Sequence, residues 1–212
     1  MGEYNQAKKS AENRIFKLSV TEKIIIRYAV VYILFFIIGL ICFYLVKLPR
    51  AEGLIKYINA YFSCTFSFDK SISENTAILF AVSFADIKTM AYIFVAGFTM
   101  FSSIAIYWLL STQALSLGFS SLYLVNSITY GVLDGVSFFD LVLFLLSSAA
   151  ISSLMILYSA KTRVFNDSFR KILPNKKQII KHKPLYIHIF LLLTLCGGII
   201  SINIIIFLLN IF

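Results

Sequence analysis

The chain has 212 residues, a formal net charge of +9 and a strongly apolar composition, with 59% hydrophobic and only 14% charged residues. Its mean hydropathy of +0.87 lies well above the usage of water-soluble domains. Nucleic-acid-binding proteins are also basic, but here the basic residues cluster at the ends of apolar segments, where membrane orientation explains them. The composition therefore predicts an integral membrane protein and excludes nucleic acid as a partner.

The first segment, residues 1–27, is basic, and we expect it on the cytoplasmic side of the membrane. Residues 12–27 alternate basic and apolar side chains, which is typical of a helix that lies on the membrane surface. A long polar segment precedes the first apolar run and no small-residue cleavage site follows it, so we expect no cleavable signal peptide.

The middle of the chain is a long region without charge. The 45 residues between Lys88 and Asp134 contain no Asp, Glu, Lys, Arg or His. At about 1.5 Å per residue, this is enough for two helical crossings of a hydrocarbon core about 30 Å thick. We predict spans at 89–110 and 114–133, with the polar residues 111–113 forming a tight turn, and a buried middle without charged groups.

Charge-free stretches elsewhere complete the predicted fold, an all-α polytopic membrane bundle with about five transmembrane helices in a single transmembrane domain, 28–212. The predicted spans are 28–46, 89–110, 114–133, 141–160 and 185–209. The apolar stretch 77–87 is too short to cross the membrane. We therefore expect a second interfacial helix there, with Asp86 and Lys88 near the lipid headgroups.

The lysines and arginines predict the orientation of the bundle. They are concentrated in 1–27 and in the connection 161–183. Both segments are expected in the cytoplasm, so an even number of crossings must separate them, and the four predicted crossings satisfy this condition. The connection 47–88 is then extracytoplasmic, and the N-terminus is cytoplasmic.

Small residues recur in every span after the first, and such residues let membrane helices approach closely. They include Gly97 in the second span, Ala114, Gly118 and Ser120 in the third, Ser148 and Ser152 in the fourth, and Gly197 and Gly198 in the fifth. We favour packing within the chain. The alternative is that one face docks the transmembrane helix of a partner. In addition, Asn126 is a candidate for a hydrogen bond between helices, because an unpaired amide in hydrocarbon is costly.

The sequence does not favour a catalytic site. Gly118 and Ser120 resemble part of the glycine-x-serine pattern of rhomboid proteases, and His188 could act as a base. However, the second glycine of that pattern is missing, and the site would open towards the cytoplasm. Neither the histidines nor the three cysteines have the spacing of a metal site, and no phosphate-binding loop occurs, so we predict no enzyme, metal or cofactor.

The region from Asp86 to Asn126 resembles the stage II sporulation protein M family of bacterial membrane proteins. The matching positions are Asp86, Lys88, Ala91, Gly97, Ala114, Gly118, Phe119, Ser120, Leu124 and Asn126. The layout is also similar, with a short basic N-terminus, one span, an outer connection, three closely spaced spans, a basic inner connection and a last span. The detailed match covers about 40 residues.

The resemblance implies a non-enzymatic scaffold in the bacterial cytoplasmic membrane. In the family, the sporulation member anchors the peptidoglycan-remodelling stage II proteins D and P during engulfment. The expected partners are thus the lipid bilayer and other membrane or wall-acting proteins, with a homo-oligomer as a further option. The alternative is the membrane subunit of a transporter with a separate ATPase. The charge-free spans argue against proton or sodium coupling.

Overall fold

The structure, a computed structural model, describes residues 19–45, 72–130, 138–172 and 183–211. Nearly all of these residues are helical. The predictions for the remaining residues, which include most of the N-terminal segment and most of the outer connection, lie outside the described residues.

Five helices form the described part of the chain. They are α1 (Val20–Leu45), α2 (Ile72–Ala96), α3 (Ser102–Thr129), α4 (Phe138–Ile172) and α5 (Lys183–Ile211). Four stretches are long and apolar enough to cross a membrane, namely Val20–Leu45, Ser102–Thr129, Leu141–Arg170 and Leu185–Ile206. The prediction of an all-α membrane bundle is confirmed.

The first helix begins earlier than the predicted span. Ser19 and Glu22 form a capping box, in which each side chain accepts a hydrogen bond from the backbone N–H of the other residue. This pair satisfies backbone donors at the helix start. Residues 20–27 therefore continue the same helix as the span instead of forming a separate surface helix.

The predicted boundaries of the second and third spans are wrong. Residues 77–87 lie inside α2, and the chain reverses at residues 97–101, while residues 111–113 lie in the middle of α3. A helix tolerates Thr112 because its hydroxyl donates to the carbonyls of Trp108 and Leu109, so this polar side chain needs no turn. The actual turn has a glycine, Gly97, at its start.

At about 1.5 Å per residue, the 25 residues of α2 extend about 37 Å. α2 packs against α5, α3 and α4, and α4 contacts every other helix. The end of the bundle that contains residues 97–101 is called the turn end below. α2 therefore packs along three other helices, with Asp86 partly buried and Lys88 exposed, and residues 77–87 do not form a separate short helix.

The most extensive helix contact joins α1 to α3. Gly39 of α1 faces the backbone of Leu115, and Gly118 of α3 faces the backbone of Phe36, so closely that a Cβ atom on either glycine would overlap a carbonyl oxygen. Small residues on both helices thus allow the backbones to touch. We call this contact the α1–α3 seam. It supports the interpretation of Gly118 as a packing residue within the chain.

Candidate functional site: a polar layer inside the bundle

A partly buried carboxylate lies between two helices of the bundle. Asp86 of α2 lies beside the Asn203 side chain of α5, close enough for the Asn203 amide to act as its hydrogen-bond donor. The Asn203 amide also donates to Ser83 Oγ at 3.1 Å. Asn203 is 7% exposed and Ser83 is 4% exposed, so the contact between α2 and α5 is polar at its centre.

A second buried hydrogen bond lies near the first. The hydroxyls of Tyr32 on α1 and Ser152 on α4 are 2.6 Å apart. Tyr32 is close enough to Asp86 for the two side chains to interact electrostatically. Asp86, Asn203, Ser83, Tyr32 and Ser152 thus connect four helices, and we call these five residues the polar layer.

The polar layer lies far from both ends of its helices. Asp86 is about 21 Å along α2 from Ile72 and about 15 Å from Ala96, at 1.5 Å per residue. Tyr32 is likewise about 18 Å from the start of α1. Asp86 thus lies well inside α2 and not at the end of a short interfacial helix, while its position near the headgroups stays a prediction. Sequence reasoning began the second span after Lys88, because no local pattern indicates that Asn203 lies beside Asp86.

Lys88 does not neutralise Asp86. Its ammonium group lies over the ring of Tyr92, 5.7 Å from the ring centroid. The ion pair found in the described residues joins Arg163 and Asp167. The Asp86 carboxylate therefore has neutral hydrogen-bond partners and no positive counter-charge within that part of the chain.

A different polar cluster holds the turn end together. The Asn166 amide of α4 donates to the carbonyls of Gly97 at 2.6 Å and Thr99 at 3.0 Å. Arg170 donates to the Met100 carbonyl. Asn166 is 1% exposed, so the last turns of α4 bind the α2–α3 turn through its backbone, and we call this contact the turn clamp.

His188 of α5 is stacked in an aromatic cluster beside the turn clamp. Its ring lies 4.4 Å from that of Phe165 and 5.2 Å from those of Phe94 and Tyr158, measured between ring centroids and at small interplanar angles. Its Nε2 is 3.4 Å from the Tyr158 hydroxyl. With 3% exposure, this imidazole is a packing element between α2, α4 and α5.

The structure separates the two residues considered for catalysis. Ser120 lies about 27 Å along α3 from Ser102, and Ser102 accepts a hydrogen bond from Arg163 at the turn end. His188 is stacked on Phe94 and Phe165 near that same end. The serine and the histidine therefore do not form a nucleophile–base pair.

The remaining predicted residues have separate environments. Ala114, Phe119 and Gly118 are buried, with Phe119 packed edge-on against Phe43 of α1.

Asn126 is half-buried, and its side chain makes no hydrogen bond within the described residues. Asn203, and not Asn126, therefore provides the amide contact between helices. Ser148 is half-buried and lies one helical turn from Ser152.

In contrast to the α1–α3 seam, α5 has a face that is open to the surroundings. Gly197, Ile200, Ser201 and Ile204 are all exposed and follow one another at helical spacing. A Cβ atom on Gly197 would have no neighbour within 4 Å. We call these four residues the α5 face.

A recess adjoins the α5 face on the side of α2. Its volume is about 500 Å³, and its lining is mostly apolar: Ala77, Phe80, Ser83, Phe84, Ile87, Ile200 and Ile204. Volumes of this size are typical of sites that bind another molecule. Ser83 belongs both to the recess and to the polar layer, so the recess reaches the hydrogen-bonded group around Asp86.

Sequence reasoning missed two members of the polar layer. Ser83 and Tyr32 look like ordinary residues of an apolar helix, and no pattern marks them. Asn203 is recognisable as an amide in an otherwise aliphatic span, and such an amide is expected to bond across helices or to lie near an interface. Only the fold shows that the partners are Asp86 and Ser83.

Comparisons with protein-family models, with curated proteins and with solved structures find no match for this chain. The resemblance to the stage II sporulation protein M family therefore stays a prediction.

Proposed function

We propose that this protein is a non-enzymatic membrane scaffold that binds the transmembrane helix of a partner protein on the α5 face. The proposal places it in the bacterial cytoplasmic membrane, with its N-terminus and the basic segment 161–183, which includes the last turns of α4, on the cytoplasmic side, as their basic residues predict. The resemblance described above implies partners that act on peptidoglycan. The observation that carries the proposal is the exposed small-residue face of α5.

The comparison of two pairs of small residues supports this role. Gly39 and Gly118 are buried in a contact within the chain, because each lies against the backbone of the other helix. Gly197 and Ser201 lie four residues apart on α5, but they are exposed, and Gly197 has open space around it. Small residues four apart on a lipid-facing surface allow a second helix to approach closely.

The hydroxyl groups on and beside the α5 face suit an apolar partner. Ser201 donates to the carbonyl of Gly197, and Thr194, which lies about one helical turn before Gly197, donates to that of Phe190. Because each hydroxyl is satisfied by its own helix, the face presents a small, smooth surface without unpaired donors. The neighbouring recess can receive larger side chains, since Phe80 and Phe84 form its walls.

A photo-crosslinking amino acid placed at Ser201 tests the proposal in cells. The expected result is a discrete crosslinked product that disappears when Gly197→Leu is added, because the leucine fills the space that the partner backbone occupies. The matched control is the same crosslinker at Leu34 of α1, which is exposed and lies away from this face. Mass spectrometry then identifies the partner.

Two results would count against this role. A product of twice the mass of the chain, containing only this protein, would show a homo-oligomer on the α5 face. Identical products at Ser201 and Leu34, unaffected by Gly197→Leu, would show random collision in the membrane.

A second candidate function is the membrane subunit of a transporter. The observation that favours it is Asp86 in the polar layer, because ionisable residues inside a membrane bundle often belong to ion or substrate pathways. Uptake of labelled solutes into vesicles that contain the protein tests this function. If the vesicles take up a solute and Asp86→Asn abolishes this uptake, the transporter function is supported and the scaffold function is not.

A further inference from the structure

The Asp86 carboxylate lacks a positive partner in the described part of the bundle. Its own helix offers Lys88, which lies over Tyr92 instead. The other helices around it contribute Tyr32 from α1, Ser152 from α4 and Asn203 from α5, and no residue of α3 is charged. Thus none of these groups supplies a positive charge.

An isolated carboxylate in such surroundings is unstable. Removing a carboxylate from water is costly even after the protein relaxes around it. A hydrogen bond from a neutral amide offsets only part of this cost. The group must therefore take up a positive charge, either a proton or a bound cation.

The neighbouring groups provide suitable ligands for a small cation. Ser83 Oγ and the Asn203 amide are hydrogen-bonded to each other at 3.1 Å, and Asn203 also bonds to Asp86. Carboxylate and hydroxyl oxygens are ligands that hard cations prefer. The Asn203 amide faces Ser83 with its nitrogen, and a rotation of the amide group by about 180° would present its oxygen as a third ligand. One carboxylate balances one positive charge, so a divalent ion would leave a net charge within the bundle.

The polar layer borders an open space. Ser83 lines the mostly apolar recess between α2 and α5, and the same hydroxyl accepts the hydrogen bond from Asn203. The polar layer therefore meets the recess at Ser83.

We propose that Asp86, with Ser83 and Asn203, forms a binding site for one monovalent cation, a proton or Na⁺, inside the bundle. The site goes beyond the proposed scaffold role, since it depends on Asp86, Ser83 and Asn203 and not on Gly197 or Ser201, although both share the recess that Ile200 and Ile204 line. It also gives the second candidate function a specific coupling residue.

The first experiment measures covalent labelling of Asp86 by a membrane-soluble carbodiimide, which reacts with protonated carboxyl groups in apolar surroundings. Full-length protein in membrane vesicles is labelled over about pH 5 to about pH 9, a range that spans the ordinary and the raised values of buried carboxyls. The labelling is carried out in sodium salt or choline salt, and the modified peptide is quantified by mass spectrometry.

The two occupants give different results. If the occupant is Na⁺, sodium salt lowers labelling at least several-fold relative to choline salt. If it is a proton, labelling falls by about tenfold per pH unit above its midpoint, with no difference between the two salts. Asp167 is the internal control, because this exposed carboxylate pairs with Arg163 and should not react.

A second measurement keeps the proposal testable if the carbodiimide cannot reach Asp86. The melting temperature of the purified protein in detergent should rise with Na⁺ or with acid, because a ligand that binds only the folded state stabilises it. Asp86→Asn, which is neutral and nearly isosteric, should lose this response, and Asn203→Ala should weaken the response to Na⁺. The proposal is overturned if Asp86 labelling ignores both pH and Na⁺ while wild type and Asp86→Asn melt alike under all conditions.

Discussion

The α1–α3 seam and the α5 face contain the same kinds of residue and use them in opposite ways. In the seam, Gly39 and Gly118 each lie against the backbone of the other helix. On the α5 face, Gly197 has no neighbour within 4 Å and Ser201 is exposed. The pattern of small residues therefore shows that helices can approach, and only the fold shows whether the approaching helix belongs to the same chain.

This difference predicts opposite effects of the same substitution. Gly118→Leu should prevent α1 and α3 from packing, because even a Cβ atom at this position would overlap the Phe36 carbonyl. We expect almost complete loss of the protein from the membrane fraction, measured by quantitative immunoblotting, since overpacking of a closely fitted contact costs about 1–3 kcal/mol or more.

Gly197→Leu is the matched control, with the same change in a helix of the same bundle. It should leave the amount of protein in the membrane near the wild-type level. Equal losses for both variants would show that the α5 face is also buried by intramolecular packing, and the distinction between the two regions would fail.

The turn clamp should be the next most sensitive contact. Asn166→Ala removes the donor to the carbonyls of Gly97 and Thr99, leaving two backbone acceptors without this partner. We expect a loss of about 1–3 kcal/mol in the free energy of unfolding, seen as a lower melting temperature in detergent. Ser168→Ala on the same helix, where the hydroxyl donates only to its own backbone, should change it far less.

The polar layer allows a test by a double-mutant cycle. Tyr32→Phe and Ser152→Ala each remove one partner of the 2.6 Å hydrogen bond, and each should cost about 1 kcal/mol. The double variant should be less destabilised than the sum of the two, because no unpaired hydroxyl remains. Additive losses in the melting analysis would show that the two hydroxyls do not depend on each other.

The smallest effect is expected at Ser120. Its side chain is half-buried on α3 and far from His188, so Ser120→Ala should change neither the membrane level nor partner crosslinking at Ser201. Complete loss of crosslinking at a normal protein level would restore a functional role for this serine.

The sequence predicts the helical membrane bundle and the existence of most spans, because long apolar stretches have few alternatives in a bilayer. It does not predict the turn at Gly97, since the polar residues 111–113 are the more obvious break in hydropathy. Thr112 is satisfied inside α3 by its own helix, which a hydropathy pattern does not show. The interpretation of Gly118 as a packing residue needed only the rule that small residues mark close approach.

The candidate site was less accessible to sequence reasoning. In the sequence, the charge of Asp86 indicates a membrane boundary and not a position between helices. Its position inside the bundle depends on Asn203, which lies more than a hundred residues away in the chain, and no local pattern links the two. The turn clamp also depends on a long-range contact, between Asn166 and the Gly97 carbonyl.

The turn clamp has a consequence for variation among related sequences. Asn166 and Arg170 recognise main-chain oxygens of Gly97, Thr99 and Met100 and not their side chains. Met100 and Phe101 are 80% and 70% exposed, so homologues can change them freely. Gly97 is constrained, since an added Cβ would lie 2.8 Å from Thr162 Cγ2. We therefore expect Gly97 to covary with residues of α4 among related sequences, while the side chains of the rest of the loop vary without such a link.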